Sequence, residues 1–587
     1  MAIQVSPGVA VSEVDLTTSV PAISTSVGGF AGVFNWGPAN TPVQITSEVQ
    51  LNNTFGNPDN NTAISFFTAA NFLAYSNNMQ VVRAQMHDAN NATASGVLSP
   101  PIPNDSFYFD NYFSGSGEVG NAWAARYMGS LGNSLQVIVW SAHNWATDAS
   151  GSSPTTKFAR KFDYAPSTSP YVVQLNPAAA GVVNDEIHIM VVDATGAISG
   201  YANTVLEKYQ SVSVLSDATA PDGSSNYYKN VIYGQSKYIH WLGIPQANTA
   251  NWGNTSTAVL SQFALSPVDP IGLDASVNSI ALMGGTDGSI GNGVSVSSAI
   301  VDAISYNLFD PESIDISLLM AGNSDANVIS KIVDTAENRT DCVAFFSPDL
   351  ANTQNTQGAA SSIVNFVNSL DVYSSYAVCD SGWKYQYDKY NDVYRWVPLN
   401  GDIAGLCAYT DRVQAPWWSP AGLNRGVIKN AVRLAFNPNQ AARDTLYQAG
   451  INPVVSFPGQ GTILYGDKTL LNRPSAFDRI NVRRLFIVLE KSISQAARST
   501  LFEFNDEFTQ SQFVALIDPF LRTVQAQRGI YSYKIVCDST NNTSEVIDAN
   551  QFVGDIFIQP AKSINFIQLN FVATRTGVDF SQIVGQF

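Results

Sequence analysis

"IDISLLMAG" (314–322) gives way to "ANVISKIVDTAEN" (326–338) and then to "CVAFFSPD" (342–349). The first and third segments are short apolar runs. The middle one places apolar residues at helical spacing. Runs that are apolar on both faces suit strands covered on both sides, the setting of a parallel sheet. The pattern continues with "AASSIVNFVNSL" (359–370), again helical in spacing, and a third apolar run, "YAVCD" (376–380). Strand, helix, strand, helix, strand predicts a parallel sheet joined by right-handed crossovers.

The flanks extend this α/β core. "AISFFTAANFLAYS" (63–76) has helical spacing, "MQVVRAQ" (79–85) reads as a strand, and "GVFNWGPANTP" is turn-rich. Between about 91 and 264 the composition shifts to Gly, Ser, Thr, Asn and Pro. Short runs such as "SLQVIVWSA" and "IHIMVVDATG" are separated there by turn clusters. That pattern predicts a β-rich insertion at the surface. "WKYQYDKYNDVYRW" (383–396) predicts an amphipathic hairpin. Three helical segments and returning strands follow to about 560, then "INFIQLNFV", a strand apolar on both faces. Residues 1–20 read as an arm, with a turn at "SPGV" and weak alternation in "VAVSEV". The expected class is therefore α+β and multidomain. It comprises an α/β core (21–90 with 265–424), the insertion (91–264) and a C-terminal α+β domain (425–570). At 587 residues the chain exceeds what one core supports.

Composition narrows the function classes. Only 13% of residues are charged, and the formal net charge is −17, which argues against non-specific nucleic-acid binding. The N-terminus has no basic, apolar signal pattern, and no run of about 18 apolar residues predicts a membrane span. Cys342, Cys379, Cys407 and Cys537 are widely spaced, without a zinc pattern, and are expected as reduced thiols. The charge is uneven, however. Residues 425–534 hold 14 Lys and Arg against 8 Asp and Glu. Within this basic island "SAFDRINVRRLF" (475–486) gathers three arginines. Arg479, Arg483, Arg484, Lys491, Arg498, Arg522 and Arg528 are its candidates for a face that meets an acidic surface. A solvated helix face, with basic residues late in the helix suiting its dipole, is the plainer account.

Other motifs carry weaker chemistry. Asp325, Asp349 and Asp380 fall near strand C-termini, where a divalent-metal hydrolase would place ligands. Asp is also the ordinary helix N-cap at such places. "GGTDGSIGNG" (284–293) has neither P-loop nor GxGxxG order and predicts a tight loop. His87, His143, His188 and His240 are isolated, and no GxSxG elbow occurs. No catalytic, cofactor-binding or metal-binding residue is expected.

The C-terminal third resembles the tail sheath proteins of contractile, T-even-like bacteriophages. The stretches that carry it are "YQYDKYNDVYRWVPLNGDIAGLCAYTD", "PWWSPAGLNRG", "INPVV", "LYGDKT", "FDRINVRRLF", "LFEFND", "YKIVCDSTNNTSEVIDANQF" and "IQPAKSINFIQLNFVATRTGVDF", in the family's order. "SPGVAVSEVD", "GPANTPVQITS" and "MGGTDG" (283–288) are similar to it too. The resemblance implies a mechanical protein rather than an enzyme, with no cofactor. Such proteins polymerise as stacked hexameric rings around a tail tube and contract to drive the tube through the host envelope. The implied partners are further copies of the chain, the tail tube protein, and the baseplate and terminator proteins, with no nucleic acid or membrane insertion. The implied place is the virion, after assembly in host cytoplasm. Terminal arms at 1–20 and 571–587 would add strands to neighbouring subunits, with Val9, Val11, Val14, Val578 and Phe580 as the strand candidates. The basic face would lie against the tube. A sheath from a related contractile injection particle would share the mechanism.

Overall fold

The computed structural model describes residues 24–94, 101–114, 123–150, 156–181, 183–243, 279–323, 325–354 and 358–565. Among these, 24–416 with 420–492 form one compact unit, and 417–419 with 493–565 form another. The two expected arms, including Val9, Val11, Val14, Val578 and Phe580, lie outside the described residues, as does most of "INFIQLNFV".

In the larger unit the three apolar runs form Leu318–Met320, Val343–Phe346 and Ala377–Cys379. They are parallel neighbours in a six-stranded sheet. Gly28–Gly32 lies beside Leu318–Met320 and pairs on its other side with Met79–Arg83, both parallel. Pro42–Ile45 closes the far edge antiparallel. Helices cover both faces. On one side Gly293–Asn307 and Ala326–Arg339 pack on Ala31, Val82, Leu319, Ala344 and Phe346. On the other, Ala63–Leu73 and Asn400–Val413 pack on Phe30, Val81, Leu318, Val343 and Phe345. Successive strand residues thus enter opposite cores, which is why these runs show no polar alternation.

The central strand Gly28–Gly32 is glycine-rich because its neighbours leave no room. A Cβ at Gly28 would sit 2.6 Å from the Phe72 ring, and one at Gly32 2.7 Å from the Phe30 ring. Its sequence, GGFAG, carries little strand propensity, so its place between two other strands rests on tertiary packing.

A second sheet has seven strands, and every pairing within it is antiparallel. It is built mainly from the insertion. Leu135–Trp140 pairs with Glu186–Asp193, as "SLQVIVWSA" and "IHIMVVDATG" suggest. Helices such as Ala142–Ser150 and Tyr228–Gln235 accompany it, so the region is mixed rather than purely β. Ser279–Met283 lies beyond the expected boundary at 264 yet bonds into this sheet, between Leu135–Trp140 and Thr93–Ala94. The following "GGTDGSIGNG" forms a tight loop, with Gly284 and Gly288 at positive φ.

"WKYQYDKYNDVYRW" is a hairpin, Trp383–Asp388 against Val393–Pro398. The helix Ile480–Ala497 spans the point, at residues 492 and 493, where the two compact units are divided, so 425–492 groups with the larger unit. The smaller unit holds Glu507–Ala526 and a two-stranded antiparallel sheet, Ile530–Val536 with Asp555–Pro560.

Candidate functional site

The basic stretch begins with Ser475, whose hydroxyl accepts from the Phe477 N–H and starts the turn Ala476–Asp478. Arg479 is extended backbone, and the helix starts at Ile480. Arg479 and Arg483 therefore do not share a helical face. The Arg479 guanidinium is 3.1 Å from Asp467 and also donates to the Tyr447 hydroxyl.

Arg483 and Arg484 are buried, 6% and 4% exposed. Arg483 lies between the Tyr376 and Phe477 rings, 4.2 and 4.0 Å from their centroids, and donates to the Tyr376 hydroxyl at 3.0 Å. Burial lowers its pKa, because aromatic faces replace hydration only in part. Arg484 donates to Asp411 at 2.6 Å and to the Cys407 and Thr25 carbonyls, each at 3.2 Å. Burial opposes its charge, but the Asp411 carboxylate outweighs that and holds its pKa above the ordinary value. Lys491 pairs with Asp315. These four residues are thus committed to partners within their own unit. The helix that carries three of them is buried on several sides, through Ile480, Val482, Leu485, Val488 and Leu489. A helix enclosed in this way carries its arginines inward.

The remaining candidates are exposed. Arg498 follows the helix, Arg522 pairs with Asp518 one turn earlier at 2.7 Å, and Arg528 sits at positive φ just past Ala526. Between the two long helices lies "LFEF", which the charge-based reading passed over. Leu501, Phe502, Phe504 and Phe508 are exposed, and Phe502 is wholly so at φ 70°. The loop is nonetheless held. Asn505 donates to Asn542 and to the Gln551 carbonyl, and Asp506 caps the next helix at the Thr509 N–H. A bulky residue in left-handed backbone is a strained arrangement, and here its ring is exposed.

The three aspartates do not converge on a metal. Asp325 is an N-cap, accepting from the Asn327 and Val328 N–H groups. Asp349 is exposed at the N-cap position of Leu350–Thr353. Asp380 is buried and accepts from Ser347 at 2.8 Å and the Gly382 N–H at 2.8 Å. Burial pushes its pKa up to about 8. Among the described residues no group of three or more His, Cys, Asp or Glu is arranged to hold a metal ion. The four cysteines are free and buried. Among the described residues no helix is long and apolar enough to cross a membrane.

Two polar clusters, the first buried and the second partly so, escaped the sequence reading, because their members lie far apart in the chain. Lys384 donates to Asp402 at 2.9 Å, and Asp402 also accepts from Tyr75 at 3.1 Å. In the insertion, His240 stacks on Tyr108 at 3.8 Å, while Asp105 binds Arg126. Burial lowers the His240 pKa to about 4, so its ring is neutral and its 3.7 Å approach to Asp105 is not an ion pair at neutral pH.

Comparison with known proteins bears on the whole chain. The phage tail sheath protein central domain matches residues 308–470, the phage tail sheath C-terminal domain 472–574, and the tail sheath protein Gp18 domain III N-terminal region 25–84. The tail sheath protein of Vibrio phage KVP40 is 36% identical, and that of Enterobacteria phage T4 34%, each match covering 99% of both chains. That of Salmonella phage ViI is 31% identical over 99% of this chain and 97% of its own. A sheath tail protein from Listeria innocua has a similar fold, with a TM-score of 0.51 at 11% identity. That match covers 92% of this chain and 93% of the other.

Proposed function

The chain belongs to the tail sheath proteins of contractile phages, and from that premise we propose that it polymerises by exchanging terminal strands between copies stacked as hexameric rings around a tail tube. As a sheath subunit it is a structural component of the virion. The finer reading has four parts. The chain performs no catalysis and takes no cofactor. The smaller unit carries the contacts between copies. The arms at 1–20 and 571–587 add strands to a neighbour. The exposed arginines Arg498, Arg522 and Arg528 face the tube, with baseplate and terminator proteins bounding the polymer.

One observation carries this reading. The sheet of Ile530–Val536 and Asp555–Pro560 has only two strands among the described residues, with alternating exposure along Asp555–Pro560. A two-stranded sheet is marginal alone and presents unpaired backbone groups at its edges. Added strands would satisfy those groups, and backbone hydrogen bonds survive when subunits swing relative to one another. A polymer that contracts needs joints of that kind, since its head-to-tail contacts must reorient without separating. The exposed Phe502, Phe504 and Phe508 supply apolar area for the same unit. The 31–36% identities are with phage sheaths, which favours a phage tail over a related injection particle.

Deletion of residues 1–15 tests it. The truncated chain is expected to fold with an unchanged melting temperature and to remain monomeric by light scattering. The full chain is expected to form helical tubes in electron micrographs, alone or on purified tail tubes. Tubes of normal length from the truncated chain would overturn strand exchange.

A further inference from the structure

Four successive backbone carbonyls just before the central strand are each held, and three are held by side chains. Ser317 Oγ donates to the Ser24 carbonyl at 3.2 Å, Arg484 Nη2 to the Thr25 carbonyl at 3.2 Å, and Ser76 Oγ to the Ser26 carbonyl at 3.3 Å. The Val27 carbonyl accepts from the Ser317 and Leu318 N–H groups, where the sheet ladder begins. The Thr25 hydroxyl adds a bond to Asp411 at 2.7 Å, on the same carboxylate oxygen that Arg484 engages. The donors come from separate places in the fold: the entry to Leu318–Met320, the helix Ile480–Ala497, and the end of Ala63–Leu73. Asp411 comes from Asn400–Val413.

This is more than strand entry requires. A strand is seated by its ladder, and the ladder here starts at Val27. A buried ion pair is also a poor stabiliser, because two desolvated charges roughly cancel their attraction. Apolar residues of similar volume would cover Thr25 as well. What the Arg484–Asp411 pair provides, and apolar residues would not, is a rigid set of donors and an acceptor aimed at the backbone and hydroxyl of Thr25.

We infer that residues 24–27 sit in a cleat that fixes the direction in which the chain leaves the core toward residue 1, with Arg484 as its central positioning residue. The inference rests on the reading of residues 1–20 as an arm that joins a neighbouring copy. Tension on such an arm would otherwise peel Gly28–Gly32, the central strand, from its end. The cleat spreads that tension over several elements before it reaches the ladder. It also gives Arg484 in "INVRRLF" a function inside the subunit rather than on its surface.

Two variants of the full chain test this. Ser76→Ala with Ser317→Ala removes two grips and leaves the ion pair intact. Arg484→Met with Asp411→Leu replaces the pair by apolar residues of similar volume. The first keeps the test open should the second fail to fold. Each is expected to melt within a few degrees of the parent. Amide exchange at Gly28, whose N–H donates to the Asn78 carbonyl at 3.1 Å, is expected to quicken at least tenfold while the rest of the larger unit is unchanged. Tube yield in electron micrographs is expected to fall at least tenfold. Unchanged exchange at Gly28 would overturn the cleat. Faster exchange with parental tube yield would overturn its role in assembly, provided the 1–15 deletion abolishes tubes in parallel. Tubes from that deletion would bring down the arm reading itself, and the cleat's assembly role with it.

Discussion

A buried ionisable group records its surroundings in the pH dependence of stability, and two residues here do so with opposite signs. Asp380 has its pKa raised by burial from 3.8 to about 8. Between those values the folded chain holds a proton that the unfolded chain has lost, so stability falls as pH rises through that window. Asp380→Asn keeps an acceptor for the Gly382 N–H and cannot ionise. It is expected to flatten the fall in melting temperature between pH 4 and pH 8. An unchanged slope would place the titration elsewhere. His240 behaves in the other direction. Its pKa is lowered from 6.5 to about 4, so the folded chain holds fewer protons than the unfolded chain between those values. Its contribution is full above pH 6.5 and is lost as pH falls toward 4. His240→Phe retains the ring stacked on Tyr108 and removes the titrating nitrogen. Thermal melts of this variant are expected to show less acid destabilisation than the parent, with little change at pH 7.

At the scale of elements, Asp325 shows how a residue type that fits a metal site can have a simpler use. Its carboxylate accepts from the Asn327 N–H at 2.9 Å and closes the first turn of Ala326–Arg339. Asp325→Ala is expected to cost about 1 kcal/mol in denaturant unfolding, the usual loss of an N-cap, with no difference in response to Mg²⁺ or Mn²⁺. A metal-dependent melting temperature that vanished in the variant would favour a ligand role. The elements that were legible share one property: their own residues carry the signal. The runs at 314–322, 342–349 and 376–380 announce buried parallel strands by lacking alternation, and the hairpin at 383–396 by showing it. Gly28–Gly32 was hidden because Gly28 answers to the Phe72 ring, a contact made only after folding, and GGFAG itself carries little strand propensity. Ser279–Met283 was assigned to the core because a short apolar run does not declare which sheet it will join. The seven basic candidates failed as a single face for a related reason. Charge is visible in sequence, but Asp411, Tyr376 and Asp315, which take up Arg484, Arg483 and Lys491, come from distant segments.

For the whole molecule, the division among those seven residues decides how an acidic partner would be met. On the proposed reading, in which exposed arginines face the tube of a contracting polymer, contacts that are individually weak and repeated in every copy suit the task. Exposed guanidiniums at Arg522 and Arg528 meet that description; the buried Arg483 does not, since reversing its charge would set a carboxylate between two aromatic faces with Glu490 nearby. Two charge reversals separate these roles. Arg522→Glu with Arg528→Glu is expected to leave the melting temperature and tube-free polymerisation unchanged. It is also expected to weaken sedimentation with purified tail tubes, more so as salt is lowered, where the wild-type attraction is greatest. Arg483→Glu is expected to lose soluble folded protein before any binding can be measured. Parental binding by the first variant across the salt series would remove these arginines from the tube contact and leave the aromatic loop at 501–508 as the next surface of that unit to alter.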